Sequence, residues 1–330
     1  MYNKGMINLQ PAHSKEEWDD YILENQGHPF QLWGWGQVKA GHGWKAERLY
    51  AYDDEVCVGA LQLLVRPLPF PLNAFAYVPR GPVCEKACEA KILDAAAEYA
   101  KRSHKAVTLS VEPDVPEIVL SDKWTLATNK ILSAETILLD LKKPESDILS
   151  SMAKKTRQYI RKSQADVHIR QARSVRDVQI CLDLYKETAS RAKFGLHSDQ
   201  YYVDILQQMK DHSPIFIAEA DGEPVAFLWL AISETTAYEL YGGVSPKGQE
   251  LRANYALKWH AIRKTKEWGL TRYDFGGLIA GGVATFKQGW SEDSTTFAGT
   301  YDRPLSPFYV LWSKGLPFAK KISRTVRRTQ

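Results

Sequence analysis

The chain has 330 residues, of which 44% are hydrophobic and 25% charged, and its formal net charge is +4. This balance leaves enough apolar surface for packed cores and argues against general disorder. Because the length is roughly twice that of a typical single domain, it favours two core-bearing units.

Three simple features argue against export, membrane insertion and metal binding. The first residues, Met1–Gly5, lead into a polar segment without the apolar core of a signal peptide, so no export is expected. The longest apolar-looking run, 214–232, is interrupted by acidic residues and is predicted to form two strands joined at Asp221-Gly222. The cysteines are Cys57, Cys84, Cys88 and Cys181. They lack the paired spacing of a zinc site, so we expect reduced structural thiols and no metal site.

The predicted elements occur in a repeating order along the chain. In the first half the pattern indicates helices at 15–25 and 33–39, a hairpin at 48–65, a helix at 87–103 and a strand at 106–112. In the second half it indicates helices at 147–164, 175–192 and 199–210, strands at 215–220, 224–232 and 237–244, a helix at 253–269 and a strand at 273–275.

This repetition predicts an α/β fold with mixed (α+β) sheets, built from two units of one topology. The join is placed near Lys142-Lys143-Pro144, and the apolar segment 308–312 is expected to return to the first unit. The predicted domains are therefore 1–143 plus 305–330, and 144–304.

A glycine-rich segment near the C-terminus carries the clearest chemical signal. Tyr273–Gly277 contains one glycine pair, a second pair is Gly281-Gly282, and Phe286-Lys287 follows. Glycine lets the backbone approach a ligand closely, and the aromatic-lysine pair could hold one positive charge beside a reacting carbonyl. The alternative is a tight loop with a solvated lysine.

Two other segments have charge patterns that bear on ligands. Lys154, Lys155, Arg157 and Arg161 lie on one predicted helix with few balancing acids, which suits either a tRNA backbone or a solvated face. The segment 248–253 precedes a long helix, as in N-acetyltransferases that hold the pyrophosphate of an acyl-CoA. It lacks the necessary glycine spacing, and Glu250 brings a like charge, so acyl-CoA binding is disfavoured.

Several motifs occur together in one order along nearly the whole chain: Gln31–Lys39, Tyr77–Pro82, Lys154–Arg161, Thr188–Arg191, Tyr273–Gly277 and Phe286-Lys287. In this the chain resembles the Fem family (FemABX type) of peptidoglycan bridge aminoacyltransferases. The resemblance implies two tandem acetyltransferase-like (GNAT-like) domains that transfer an amino acid from aminoacyl-tRNA to the side-chain amine of a muropeptide stem. The short connection after Ala192 favours the compact form of the family, without a helical arm.

The resemblance also implies roles for individual residues. Lys39 would meet the phosphates of the precursor, and Tyr201 and Tyr241 would contact the same substrate. His197 stands where the family often has an arginine, so Arg191, Arg252 or a protonated His197 would supply the second phosphate contact.

At the reaction centre, the resemblance places Phe286 beside the aminoacyl ester and gives Lys287 the task of stabilising the oxyanion. Asp274 would orient or deprotonate the amine, or simply cap the glycine-rich turn.

The expected partners are aminoacyl-tRNA and a UDP-linked or lipid-linked peptidoglycan precursor, with no cofactor. A cytoplasmic monomer with peripheral contact to the inner membrane surface is expected. The amino acid transferred, and whether the acceptor carries lysine, ornithine or diaminopimelate, stay open. Two rival hypotheses are an acyl-CoA-dependent N-acyltransferase of the same fold and a non-catalytic module that binds tRNA or a membrane surface.

Overall fold

The computed structural model describes residues 6–278 and 282–315. Its strands are β1 (Ile7–Pro11), β2 (Lys45–Asp53), β3 (Val56–Pro67), β4 (Ala74–Pro79), β5 (Val83–Cys84), β6 (Ala106–Glu112), β7 (Thr125–Leu126), β8 (Glu135–Thr136), β9 (Leu138–Asp140), β10 (His168–Ala172), β11 (Ile215–Ala220), β12 (Glu223–Ile232), β13 (Thr236–Val244), β14 (Arg272–Asp274), β15 (Thr295–Thr296) and β16 (Tyr301–Pro304).

The α-helices are α1 (Lys15–Glu24), α2 (Trp33–Ala40), α3 (Lys86–His104), α4 (Glu145–Ser150), α5 (Lys154–Ser163), α6 (Val175–Ala192), α7 (Asp199–Met209), α8 (Pro246–Glu250), α9 (Ala253–Glu267) and α10 (Gly282–Gln288). Short 3-10 helices occur at Pro29–Gln31 and Lys210–His212. Within the described ranges, no helix is long and apolar enough to cross a membrane.

The chain divides into two compact units. Unit 1 contains Met1–Asn25, His42–Ala134 and Thr296–Gln330, and unit 2 contains Gln26–Gly41 and Glu135–Thr295. Each unit has its own sheet and its own buried apolar cluster.

The sheet of unit 1 has the strand order β1-β2-β3-β4-β6-β16-β7, with β5 beside β3. β4 and β6 are parallel, whereas β2, β3 and β4 pair in antiparallel fashion. A parallel pair requires a crossover connection, and α3 supplies it. The apolar face of α3 is buried in the core of the unit through Ile92, Leu93, Ala96, Ala97 and Ala100.

The sheet of unit 2 has the order β10-β11-β12-β13-β14-β9. Here β13 and β14 form the parallel pair, and α9 makes the crossover. The predicted β11–β12 hairpin is present. Asp221 and Gly222 both have positive φ, 55° and 79°, as a tight turn that matches strand twist requires. Both units thus place a parallel strand, reached through a helix, after an antiparallel meander, which agrees with the prediction of two units of one topology.

The boundaries of the units differ from the predicted ranges. Residues 26–41 group with unit 2, because α2 packs closely on α7. A Cβ added at Gly34 would lie 2.4 Å from the carbonyl oxygen of Gln208. Residues 301–304 form β16 in the sheet of unit 1, beside β6. Whether the units behave as independent domains stays a prediction.

In the apolar segment near the C-terminus, Trp312 packs within unit 1, whereas Phe308, Val310 and Leu311 are exposed. The ring of Trp312 stacks on Phe75 with 5.0 Å between centroids, and the Asn129 side-chain amide donates to the Ser313 carbonyl at 2.8 Å. Residues 309–315 are helical.

The helix predicted at 147–164 is instead two helices, α4 and α5. The guanidinium of Arg157 donates to carbonyl oxygens at the end of α4, namely those of Leu149, Ser150 and Met152. The Ala153 amide donates to the Gly289 carbonyl at 3.0 Å. These bonds satisfy backbone groups that a continuous helix would have paired internally. Residues 147–164 contain no glycine or proline from which the break between the helices could have been predicted.

Candidate active site

Lys39 and Tyr201 meet in unit 2, although 162 positions separate them in sequence. Lys39 lies in the last turn of α2, and its Nζ donates to the Tyr201 hydroxyl at 2.6 Å. The same nitrogen lies 4.4 Å from the ring centroid of Trp35. The close packing of α2 on α7 therefore brings a cation and a phenol to one place.

Three further aromatic side chains complete this Lys39 cluster. The exposed ring of His197 stacks on Tyr201 with 4.0 Å between centroids, and the ring of Tyr241 lies 5.2 Å from that of Tyr202. A side-chain hydrogen bond links Tyr201 and Tyr241. Burial raises the pKa of Tyr201 to about 12, so its hydroxyl is neutral and able to donate near pH 7. The structure thus brings together four of the five side chains predicted to bind the precursor.

Arg191, the fifth, lies at the C-terminal end of α6 and is exposed. Its Nη2 donates to the carbonyl oxygen of Val244, the last residue of β13, at 2.9 Å. This bond fixes the guanidinium at the end of the strand that carries Tyr241. Arg252, also considered for a phosphate contact, instead lies over the ring of Tyr159, with Cζ 4.2 Å from the centroid.

Lys287 is held by the glycine-rich turn after β14. Its Nζ donates to the carbonyl oxygens of Phe275 and Gly277, the second at 2.9 Å. Gly276 and Gly277 have φ of 73° and 91°, and a Cβ at Gly276 would lie 2.4 Å from the Glu239 carbonyl oxygen. Only glycine fits this turn without strain. The second glycine pair lies partly outside the described residues, which omit 279–281.

The charge state of Lys287 is set by opposing influences. Burial lowers its pKa from the ordinary value, while the carboxylates of Glu239 and Asp274 oppose this change. An ammonium has three donors, and the two carbonyls take two of them. A partly buried ammonium with one further donor is suited to an oxygen that gains negative charge.

Asp274 is fully buried, with 0% of its surface exposed, and its position explains the shape of the turn. Its Oδ1 accepts hydrogen bonds from the Thr136 hydroxyl at 2.6 Å and from the Gly276 amide at 2.8 Å. The Thr136 Oγ in turn accepts from the Gly277 amide at 3.1 Å. In this structure Asp274 therefore caps the glycine-rich turn that holds Lys287.

A buried ion pair that the sequence analysis missed lies beneath this turn. Lys258 is 4% exposed, and its Nζ donates to Oε2 of Glu239 at 2.6 Å. The Tyr273 hydroxyl donates to the other oxygen of Glu239 at 2.9 Å. Burial lowers the pKa of Lys258 to about 8, against the opposing attraction of Glu239. A signal was present in the sequence, since Lys258 interrupts an otherwise apolar stretch of α9, 256–259.

Phe286 belongs to a group of rings around the Lys258 ammonium. That nitrogen lies 4.4 Å from the ring centroid of Phe275 and 5.3 Å from that of Phe286. Phe286 also contacts Tyr255 edge-on at 4.9 Å, and Tyr255 stacks on Trp290 at 6.0 Å. Phe286 is thus fixed in place directly before Lys287.

The basic helix α5 presents most of its charges to solvent. Lys154, Lys155 and Arg161 are exposed, whereas Thr156 and Ile160 face the core. None of these three cations forms a salt bridge with an acidic side chain within 6–278 and 282–315. Arg157 differs, because its guanidinium caps α4. Further along the chain, Arg170 is neutralised by Asp177 and Glu219, both at 2.7 Å, whereas Arg173 and Arg176 are exposed.

Residues 6–278 and 282–315 contain no group of three or more His, Cys, Asp or Glu side chains that could hold a metal ion. The four cysteines are free thiols, of which Cys181 is buried.

Comparisons with known proteins bear on the family and the fold of the chain. Residues 13–130 match the family model described as "FemAB family", and residues 150–288 match the one described as "Acetyltransferase (GNAT) domain". The resemblance to the Fem family is confirmed. A Staphylococcus aureus protein (strain MRSA252) named lipid II:glycine glycyltransferase is 21% identical, with 96% of this chain and 98% of that protein covered.

Solved structures show the same fold. The crystal structure of FemX has a TM-score of 0.81 at 17% identity and covers 92% of this chain and 100% of its own. A tandem GNAT protein from the clavulanic acid biosynthesis pathway has a TM-score of 0.52 at 10% identity and covers 91% and 99%. The predicted fold class, mixed α/β sheets in two tandem GNAT-like domains, is confirmed. The predicted class of enzyme, an aminoacyltransferase, is confirmed by the matches to the family models and to the glycyltransferase.

Proposed function

We propose that the protein transfers an amino acid from aminoacyl-tRNA to the side-chain amine of the muropeptide stem in a peptidoglycan precursor, forming part of an interpeptide bridge. The observation that carries this proposal is the Lys287 ammonium held over the glycine-rich turn by the Phe275 and Gly277 carbonyls. The name of the Staphylococcus aureus relative supports the same class of reaction on a lipid-linked precursor.

The reaction needs an attacking amine and a stabilised tetrahedral intermediate. The acceptor nitrogen forms a bond to the ester carbonyl carbon, the carbonyl oxygen gains negative charge, and the bond to the ribose oxygen then breaks. The third N–H of Lys287 is suited to stabilise the negative oxygen. As the ester bond breaks, the Lys287 ammonium gives a proton to the ribose oxygen, and the neutral amine that results takes up the proton lost by the acceptor nitrogen, so the ammonium is restored. Burial, which lowers the pKa of Lys287, favours this exchange.

Asp274 supports this chemistry by shaping the turn. Its Oδ1 accepts from Thr136 and from the Gly276 amide, which keeps the two carbonyls aimed at Lys287. This arrangement favours an orienting role over direct deprotonation of the amine. Phe286 contributes an apolar wall that excludes water from the ester.

The Lys39 cluster is suited to the phosphates of the precursor. Lys39 offers a point charge held in place by the Tyr201 hydroxyl, and Tyr201 and Tyr241, which are hydrogen-bonded to each other, lie beside it where they would contact the same substrate. The stacked, exposed ring of His197 gains charge on protonation and would then add a second cation. Both a UDP-linked and a lipid-linked acceptor carry this diphosphate. We place the reaction in the cytoplasm, with a monomeric enzyme touching the inner membrane surface when the acceptor is lipid-linked.

The acyl-CoA alternative meets a geometric obstacle at the loop before α9. Amide groups that would face a pyrophosphate are used inside the loop: the Gly248 amide donates to the Ser245 hydroxyl at 3.1 Å, and the Gln249 amide to the Ser245 carbonyl at 2.9 Å. The Leu251 and Arg252 amides likewise donate to carbonyls of the same loop. A Cβ at Gly248 would lie 2.3 Å from the Val225 carbonyl oxygen, so the short helix α8 packs directly against β12.

A donor competition tests the proposal. The full chain is incubated with a UDP-linked or lipid-linked precursor. One reaction contains a mixture of charged tRNAs and the other contains an acyl-CoA. The mass of the precursor is then measured by mass spectrometry. We expect an added aminoacyl mass only with charged tRNA. Acyl addition from acyl-CoA alone would favour the rival enzyme, and tRNA binding without any mass change would favour the non-catalytic module.

A further inference from the structure

A cation and an aromatic ring are stacked at the surface of unit 2, where α5 meets the start of α9. The guanidinium carbon of Arg252 lies 4.2 Å from the ring centroid of Tyr159, and Nζ of Lys155 lies 5.5 Å from the same centroid. Tyr159 and Arg252 are half-buried and Lys155 is exposed. The two cations lower the pKa of Tyr159 against the opposing effect of partial burial.

Neither cation is neutralised by an acidic side chain of the described residues. Arg252 also has a left-handed backbone, with φ of 55° and ψ of 35°, at the residue that precedes α9. Such a conformation is unfavourable for a non-glycine residue, so it persists only where surrounding contacts enforce it. The side chain of Arg252 thus extends over Tyr159 from a backbone that its surroundings hold in one conformation.

Rings lead from this pair to the reaction centre. Tyr159 contacts Tyr255 edge-on at 5.1 Å, and Tyr255 contacts Phe286 edge-on at 4.9 Å. All three rings are partly exposed. Two ring-to-ring contacts therefore separate the Arg252–Tyr159 pair from the residue that precedes Lys287.

The short separation between the Arg252–Tyr159 pair and Lys287 matters because the aminoacyl ester of a charged tRNA is attached to its terminal ribose. If the ester lies at Lys287, the last bases of the unpaired 3′ end must lie within a nucleotide or two of it. Unpaired bases are held in proteins by stacking on aromatic rings and on arginine guanidinium planes. A cation next to a ring also attracts the adjoining phosphate.

We infer that the Arg252–Tyr159 pair is a stacking platform for an unpaired nucleobase at the 3′ end of the aminoacyl-tRNA. Lys155 would hold the phosphate next to that base. This inference rests on the proposed function, which names tRNA as the donor, and it adds the part of the RNA that is bound and the residues that bind it.

The test compares two RNA probes by fluorescence anisotropy. One is a hairpin of acceptor-stem type with a single-stranded 3′ end, and the other is the same hairpin with abasic terminal nucleotides. The ratio of their Kd values isolates base stacking from phosphate attraction. For the unsubstituted protein we expect the abasic hairpin to bind roughly five- to a hundredfold more weakly, the range for stacking of a base on an aromatic side chain.

Substitutions then assign the stacking to the pair. Tyr159→Leu and Arg252→Lys should bring the ratio close to one, whereas Tyr159→Phe, which retains the ring, should preserve it. Lys162→Ala removes an exposed charge from the same helix. It should weaken both probes alike and leave the ratio unchanged. Thermal melting of each variant checks that it is folded.

The outcomes separate this inference from the function on which it rests. A ratio unchanged by both Tyr159→Leu and Arg252→Lys overturns the platform even when the enzyme transfers amino acids from charged tRNA. A ratio near one for the unsubstituted protein overturns it as well. Absence of transfer from any charged tRNA, with intact binding ratios, contradicts the proposed function and leaves an RNA-binding platform.

Discussion

Lys287 is the residue on which the proposed chemistry depends most. Substitution to methionine keeps most of the length of the side chain but removes the ammonium held by Phe275 and Gly277. We expect kcat to fall about 10²–10³-fold, equivalent to ~2.7–4 kcal/mol of lost transition-state stabilisation, with little change in substrate Kd. Single-turnover transfer with both substrates saturating measures this. Gln288→Met, at the exposed neighbouring position, is the matched control.

The pH dependence of transfer should report the ionisation of the same residue. Because burial lowers the pKa of Lys287, its active ammonium form is lost at a lower pH than for an ordinary lysine. We therefore expect kcat to fall as pH rises through that lowered pKa. In Lys287→Arg, which remains charged, the residual activity should not show this decline. A wild-type profile that rises without decline up to pH 10 would argue that the neutral amine is the active form.

Lys39 should act on binding of the acceptor and spare the chemical step. Its Nζ is positioned by Tyr201 and Trp35, which suits contact with a diphosphate. We expect Lys39→Ala to weaken acceptor binding by roughly 1.5–3 kcal/mol, the scale of a hydrogen bond to a charged group. Calorimetry with the precursor measures the loss. With a stem peptide that lacks the diphosphate, wild type and variant should bind equally, and a loss of the same size there would place Lys39 elsewhere.

At the scale of elements, α9 and β13 are joined by the buried Lys258–Glu239 pair. Removing one partner leaves the other charge buried and unpaired, so we expect Lys258→Met to lower the free energy of unfolding by about 3–5 kcal/mol. Chemical denaturation measures this change. The double variant Lys258→Met/Glu239→Gln should recover most of the loss, because both charges are gone and the glutamine can still accept from Tyr273. An undiminished loss in the double variant would show that packing, not charge, is disturbed.

Helix α5 should contribute the salt-sensitive part of tRNA binding. Reversing the exposed charges of Lys154 and Arg161 to glutamate should raise the KM for aminoacyl-tRNA and flatten its dependence on salt. The log–log slope should fall by about 0.7–0.9 for each phosphate that is no longer neutralised. Acceptor binding should be unchanged. Equal slopes for wild type and variant would show that this face is merely solvated. Arg157 is unsuitable for the test, because its removal would uncap α4.

At the scale of the whole molecule, the sequence predicted the architecture well. Each helix, strand and turn is recognised from residues that are close together in sequence, and their order along the chain then indicates the fold. Apolar periodicity and turn residues marked the strands β11 and β12 and the turn at Asp221-Gly222 nearly to the residue. Contacts between side chains that are far apart in sequence could not be predicted in this way. No spacing rule joins Lys39 to Tyr201, and only the resemblance to a family placed both residues at one substrate.

The rest depended on tertiary contacts that leave little trace in the sequence. The break between α4 and α5 is enforced by Arg157 and by the Gly289 carbonyl, not by a residue that disfavours helix. Lys258 and Glu239 lie on different elements, and their pairing becomes visible only once α9 covers the sheet of unit 2. The membership of α2 in unit 2 similarly follows from its packing on α7.

The most direct test of the central claim is to locate the amino acid after transfer. The full chain is incubated with a tRNA charged with an isotopically labelled amino acid and with a purified peptidoglycan precursor, and the product is fragmented by tandem mass spectrometry. We expect one labelled residue on the side-chain amine of the stem peptide, dependent on the charged tRNA and reduced at least about a hundredfold in Lys287→Met. A product without the label, a label on another group, or undiminished transfer by Lys287→Met would contradict the account.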